Sequence, residues 1–148
     1  MYMKFITSLL LSLITLSCNQ KGNYDILVKQ AEDARSKDDY MTSIMTLDKV
    51  INGSASNVIK QQSQFIIADI YMNDVKNYSF ALDEFKKVLE YDVENNTHKK
   101  SLFMFSYICS NYLDMYTEAY NSYNAFLDKY PDDELVPSVL YEIDQLRP

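Results

Sequence analysis

Glycine is almost missing from this sequence: of 148 residues only Gly22 and Gly53 are glycines. Both sit in polar punctuation, GNYD and INGSASN, so no glycine-rich loop exists to cradle a phosphate. The three prolines, Pro131, Pro137 and Pro148, lie near the C-terminus, and nothing between residues 54 and 130 breaks a helix. Tryptophan is absent, and a single histidine, His98, rules out a histidine-dependent triad or a multi-histidine zinc site. Two cysteines, Cys18 and Cys109, are too few for a disulfide framework. Positive charge is also short, 14 Lys and Arg against 21 Asp and Glu, a formal net charge of -7. A broad nucleic-acid footprint needs clustered cations, so no nucleic-acid partner is expected. The short pairs Lys86-Lys87 and Lys99-Lys100 read as solvated helix faces.

Apolar and aromatic residues are plentiful. At 47% hydrophobic and 24% charged, with thirteen tyrosines and seven phenylalanines, the chain can bury a core. Its length suits one ordinary domain.

The N-terminus reads MYMKFITSLLLSLITLSC. Lys4 supplies a positive n-region, and Phe5 to Leu16 form an apolar run of signal-peptide length, too short to span a bilayer comfortably. Ser17 puts a small side chain just before Cys18, where a signal peptidase needs one. An ordinary cleaved secretory signal and a buried helix fit the same residues. The ending Thr15-Leu16-Ser17-Cys18 resembles the lipobox of bacterial lipoproteins, with Ser17 and Cys18 matching and Thr15 standing where Leu is most usual. That resemblance implies a signal peptide over 1–17 and a diacylglyceryl thioether on Cys18, cleavage before it and acylation of the new amino group. Several acyl chains, each buried methylene contributing about 0.8 kcal/mol, would anchor the protein durably. Residues 18–24 would form a polar tether. Asn19 is not the Asp that marks inner-membrane retention in some bacteria, so the expected location is the outer membrane, facing the periplasm.

The body repeats. DDYMTSIMTLDKVI (38–51), KNYSFALDEFKKVL (76–89) and DMYTEAYNSYNAFL (114–127) place Tyr40, Tyr78 and Tyr116 at intervals of 38. Ser43/Ala81/Ala119, Leu47/Phe85/Tyr123, Val50/Val88/Phe126 and Ile51/Leu89/Leu127 follow in register. The spacing i, i+3, i+7, i+10, i+11 is one apolar stripe on a helix. Before each lies a second helical segment, 25–37, 58–74 and 98–113, so the expected architecture is all-α: helix, tight turn, helix, three times.

The run Ile67-Ala68-x-x-Tyr71, then Tyr78, Ala81 and Phe85, is similar to the tetratricopeptide repeat, as is Tyr116, Ala119, Tyr123 and Pro131. In the first copy Ser43 replaces Ala. The resemblance implies an α-solenoid of about three helical hairpins over 25–148 (about 25–55, 58–93 and 98–131), with a seventh, capping helix over 137–147 starting at Pro137. A 38-residue period implies about one extra residue in each intra-hairpin turn. FLDKYPDDELVPSVLYEI also resembles repeats of envelope lipoproteins such as the BamD-type assembly factor and the Tol–Pal coordinator.

No catalytic constellation or cofactor site is expected. His98, in NNTHKK, reads as a solvated residue near a helix end, and Cys109, in FMFSYICSNYL, as a buried inert thiol. Asp132-Asp133-Glu134 and Asp83-Glu84 could do acid–base work only if a pocket held them. The tetratricopeptide register carries the concave-groove positions onto Glu32, Arg35, Phe65, Asp69, Met72, Phe103, Tyr107 and Asn111, where a peptide or helix would dock. Phe65 and Phe103 also fit plain packing against neighbouring helices. The expected function is a non-catalytic, membrane-anchored interaction scaffold of the bacterial envelope with an envelope protein as partner. A self-associating structural subunit and a small carboxylate-dependent envelope hydrolase are the alternatives.

Overall fold

A computed structural model describes residues 23–146, and these residues are all-α. Cys18 and the signal segment lie outside the described residues. In chain order the helices are α1 (23–35), α2 (Tyr40–Ile51), α3 (Asn57–Asp69), α4 (Tyr78–Leu89), α5 (Asn96–Asn111), α6 (Tyr116–Lys129) and α7 (Val136–Gln145). No strand occurs among the described residues. The described residues divide into two compact units, the first ending at Lys60 and the second beginning at Gln61.

The first unit contains the α1–α2 hairpin. Ala31, Leu47 and Val50 are fully buried, as the helical stripe requires. The turn between the helices is closed by two bonds, Asp38 N to Arg35 O and Asp39 N to Ala34 O, both 3.0 Å. That is the hydrogen-bond pattern of a helix ended by one left-handed residue, and Asp38 takes that conformation at φ 60. Asp39 then caps α2 by accepting from Thr42 N at 3.1 Å. Gly53 is needed for space: a Cβ there would stand 2.7 Å from the Tyr24 hydroxyl. That hydroxyl accepts from Ser54 N at 2.7 Å and lies 2.9 Å from Ser54 Oγ, tying the start of α1 to the segment after α2.

The second unit stacks two hairpins and a final helix. In the α3–α4 hairpin, Ala68 and Met72 meet Ala81 and Phe85, and Ile108 of α5 closes the cluster. In the next hairpin, Leu102 and Cys109 of α5 meet Ala119, Tyr123 and Phe126 of α6, closed by Val139 and Ile143 of α7. Each core is therefore completed by the helix that follows its hairpin, the packing that lets helical repeats share one interior. The three series Ser43/Ala81/Ala119, Leu47/Phe85/Tyr123 and Val50/Val88/Phe126 are all buried to 0% exposure.

Left-handed residues recur with the same period. Asp38, Lys76 and Asp114 have φ of 60, 58 and 53, and these are the non-glycine residues with positive φ among those described. Each ends the first helix of a hairpin one residue before the cap of the second. In the second unit the turn is wider than in the first. Asn77 N bonds Tyr71 O and Met115 N bonds Cys109 O, both at 2.8 Å and both spanning six residues. In the α3–α4 hairpin the widening begins in a π-helical stretch, Ile70–Asp74, with Val75 N bonded to Ile70 O at 3.0 Å. The extra residue expected in the turn is thus taken up largely in the last turn of α3.

The repeat tyrosines differ from the expected stripe. Tyr116 is exposed, and its hydroxyl donates to Asp114 Oδ1 at 2.7 Å, just as Tyr40 donates to Asp38 Oδ1 at 2.8 Å. These tyrosines brace the left-handed turn, because a long phenol at the first position of the second helix reaches back over it. Tyr78, which follows Lys76, instead stacks on Tyr112 with ring centroids 3.8 Å apart. The last helix begins at Val136, with Pro137 in its first turn, where the missing N–H costs nothing.

Candidate functional site

The eight groove positions fall in both units. Glu32 is exposed and Arg35 half-buried on α1. In the second unit Phe65 is half-buried and packs edge-on against Phe85, centroids 5.6 Å apart. Asp69 accepts from Asn73 Nδ2 at 2.7 Å. Met72 is buried in the α3–α4 core. Phe103 packs against Tyr123 at 6.1 Å and Tyr107 at 6.2 Å. Asn111 is exposed and donates to Glu142 Oε2 at 3.1 Å. Phe65, Met72 and Phe103 thus contribute to the packed interior, while Tyr107 and Asn111 stand with solvent-facing atoms.

Tyr107 and Asn111 belong to a phenol-rich surface that spacing on one helix does not reveal. Tyr112 stacks on Tyr78 and meets Tyr107 edge-on at 5.9 Å. Burial raises the Tyr107 phenol, and the neighbouring Tyr112 and Glu142 add to the rise. The surface is therefore aromatic, rich in neutral hydroxyls and bordered by a carboxylate, a composition suited to contact with another protein. Tyr78 reaches it from α4 and Glu142 from α7, so three helices build the patch.

A separate shallow depression of about 260 Å³ is lined by Gln64, Lys87, Glu90 and Tyr91. Glu84 holds its edge, accepting from Gln64 Nε2 and pairing with Lys87 Nζ. Of the carboxylates considered for acid–base work, Glu84 and Asp133 are engaged structurally, while Asp83, Asp132 and Glu134 are exposed. Asp133 pairs with Lys99, and its other oxygen accepts from Leu135 N at 3.0 Å, capping the segment before α7. These contacts hold the Asp133 carboxyl below its usual range. Gln61 and Asn95 hold the same two registers one repeat earlier, and they bond at 2.8 Å while Asn95 caps α5 through His98 N. A polar latch between the start of one hairpin and the start of the next is thus repeated with different chemistry.

His98 is buried, which corrects the solvated reading. Its Nδ1 shares a 2.9 Å hydrogen bond with the Tyr130 hydroxyl, and the exposed fraction is 9%. Burial and the nearby Lys129 lower its pKa from 6.5, while Glu94 opposes them. Cys109 is buried as expected, and desolvation, aided by Glu118, pushes its thiol up to about 11. The shifted groups are explained by burial, by hydrogen bonds or by structural ion pairs such as Lys129–Glu94 at 2.6 Å. Among the described residues no group of three or more His, Cys, Asp or Glu could hold a metal ion. No described helix is long and apolar enough to cross a membrane.

A scan of the chain against protein-family models finds no match, and a search of curated proteins finds none either.

Proposed function

We propose that the protein is a lipid-anchored, non-catalytic interaction scaffold of the bacterial envelope, built on tetratricopeptide-type hairpins. The observation that carries this reading is the aromatic surface on α5, where Tyr107, Asn111 and Tyr112 present partly exposed polar and aromatic atoms beside Glu142. Such a surface on rigid helices supports peptide or helix docking, since aromatic side chains bring large contact area at little entropic cost. The n-region, apolar run and lipobox-like ending at Cys18 support anchoring through acyl chains, and Asn19 favours the outer membrane.

The test is metabolic labelling with palmitate in a bacterial host that carries the lipoprotein pathway. Label in the membrane fraction that disappears with Cys18→Ser is the expected result. Equal labelling of that variant, or release of the wild type as a soluble protein, contradicts the anchor. A second reading, a self-associating subunit, is favoured by Tyr116 and Tyr120, which stand one turn apart on α6 with 53% and 51% exposure. Sedimentation of the chain with and without Tyr120→Asp separates it: a concentration-dependent dimer lost in the variant supports self-association.

A further inference from the structure

Helix α7 stands where the first helix of a further hairpin would begin. Its start at Val136 follows the equivalent residue of α5, His98, by one 38-residue period. The matching residues then diverge in environment. At one register Gln64 and Leu102 are buried, whereas Leu140 is 52% exposed. At the next, Phe65 and Phe103 are half-buried and Tyr141 is 63% exposed.

The cause of the difference is visible in the two complete hairpins. Phe65 packs against Phe85 of α4, and Phe103 packs against Tyr123 of α6. In both, the aromatic residue of the first helix meets the large residue of its own second helix. Among the described residues no ring faces Tyr141 in this way. Meanwhile Val139 and Ile143 already hold α7 against α6. What is exposed is therefore the face that a second helix covers elsewhere in the same fold.

Charge narrows the occupant. Residues 114–146 carry eight carboxylates against one lysine, Lys129, which pairs with Glu94. Asp144 holds the register where Ala68 and Ser106 are buried beneath a second helix, and Glu142, which accepts from Asn111 of α5, follows the apolar pair directly. A helix laid here needs cations along its edge to be favourable.

The geometry points to α7 as a docking site for a cationic amphipathic helix of another protein, which packs a large apolar residue on Tyr141 and completes the hairpin. The fit requires a small residue followed four positions later by a large one, as in Ala81 and Phe85 of α4. Association of this kind reuses the repeat's own packing, with the affinity centred on the aromatic contact. The inference specifies a site and a kind of partner within the scaffold reading, and it does not depend on lipidation at Cys18.

The test uses a fluorescent peptide of residues 76–91 with Asp83→Lys and Glu90→Lys, which keeps Ala81 and Phe85 and is made cationic by the two changes, titrated against the full chain by anisotropy. Expected are saturable binding, weakening of about tenfold or more with Tyr141→Ala in the protein or Phe85→Ala in the peptide, and further weakening at high salt. A peptide of residues 114–130, also a second helix but acidic, is expected to bind more weakly. Leu140 and Tyr141 are exposed, so circular dichroism of the variants is expected to match the wild type. The proposal is overturned if the 76–91 peptide does not bind, or binds Tyr141→Ala as well as wild type. It is also overturned if the chain alone forms a dimer that Tyr141→Ala dissolves, which would make a second copy the occupant. Palmitate labelling and crosslinking from Tyr107 report on the scaffold reading separately.

Discussion

Ser43→Ala is expected to stabilise the first hairpin. Ser43 sits at the register of Ala81 and Ala119, fully buried, and its hydroxyl has no hydrogen-bond partner. Other buried serines of the fold are satisfied: Ser106 Oγ donates to Leu102 O and Ser101 Oγ to Thr97 O, both at 2.8 Å. An unsatisfied buried hydroxyl costs about 1–3 kcal/mol, the full loss of its hydration. Alanine also has a better helix propensity than serine, by roughly 0.5 kcal/mol. The atom removed is small, so the cavity left behind offsets only part of this gain. A net stabilisation of about 1–2 kcal/mol is therefore expected. Urea denaturation, followed by tyrosine fluorescence and circular dichroism, would show a higher midpoint with an unchanged slope. Ala81→Ser and Ala119→Ser are expected to move the midpoint the other way. Destabilisation by Ser43→Ala would refute the reasoning, because the hydroxyl would then have to contribute a bond that the register argument excludes.

The three left-handed residues predict a graded response to glycine. Lys76→Gly relieves a left-handed strain of about 1–2 kcal/mol at a glycine entropy cost of about 0.5–1 kcal/mol, so a modest gain in urea midpoint is expected. Asp38→Gly and Asp114→Gly gain less, because each loses its bond to Tyr40 or Tyr116; equal gains at all three would contradict the bracing role. His98 has a lowered folded pKa, so the unfolded chain takes up its proton first. Stability then falls as pH drops through 6.5 and levels off below the folded pKa, and His98→Gln is expected to flatten that part of a stability–pH profile. Cys109 has a raised pKa of about 11, so the unfolded thiol ionises first as pH rises. In a Cys18→Ser background a thiol reagent at pH 8 is expected to react only on unfolding, and Cys109→Ala to flatten the stability loss between pH 9 and 11.

What was legible in the sequence is what repeats as side-chain size. The series through Ala81, Phe85 and Val88 and its counterparts marks the buried face, because only small residues permit close helix approach and only large ones fill the space beyond. The helices and the last element at Pro137 follow from that periodicity and from the scarcity of Gly and Pro. The left-handed corners were harder to see, since Lys76 does not share the carboxylate of Asp38 and Asp114, and their conformation follows from the hairpin closing around them. The π-helical stretch at Ile70–Asp74 has no composition signal either. His98 is buried by Tyr130, 32 residues away, a partner that local context in NNTHKK does not contain. At the candidate site, helical register identified Tyr107 and Asn111 but not Tyr78 or Glu142. Those two arrive from other helices, at positions only the packing of α4, α5 and α7 determines.

The measurement that bears most directly on the scaffold account is site-specific photo-crosslinking in intact cells. A photoreactive phenylalanine analogue would replace Tyr107 in one strain and Asp83, an exposed residue on the outer side of α4, in another. The account predicts one discrete protein adduct from position 107 that is absent from position 83. No adduct from 107, or the same spread of adducts from both positions, would contradict it.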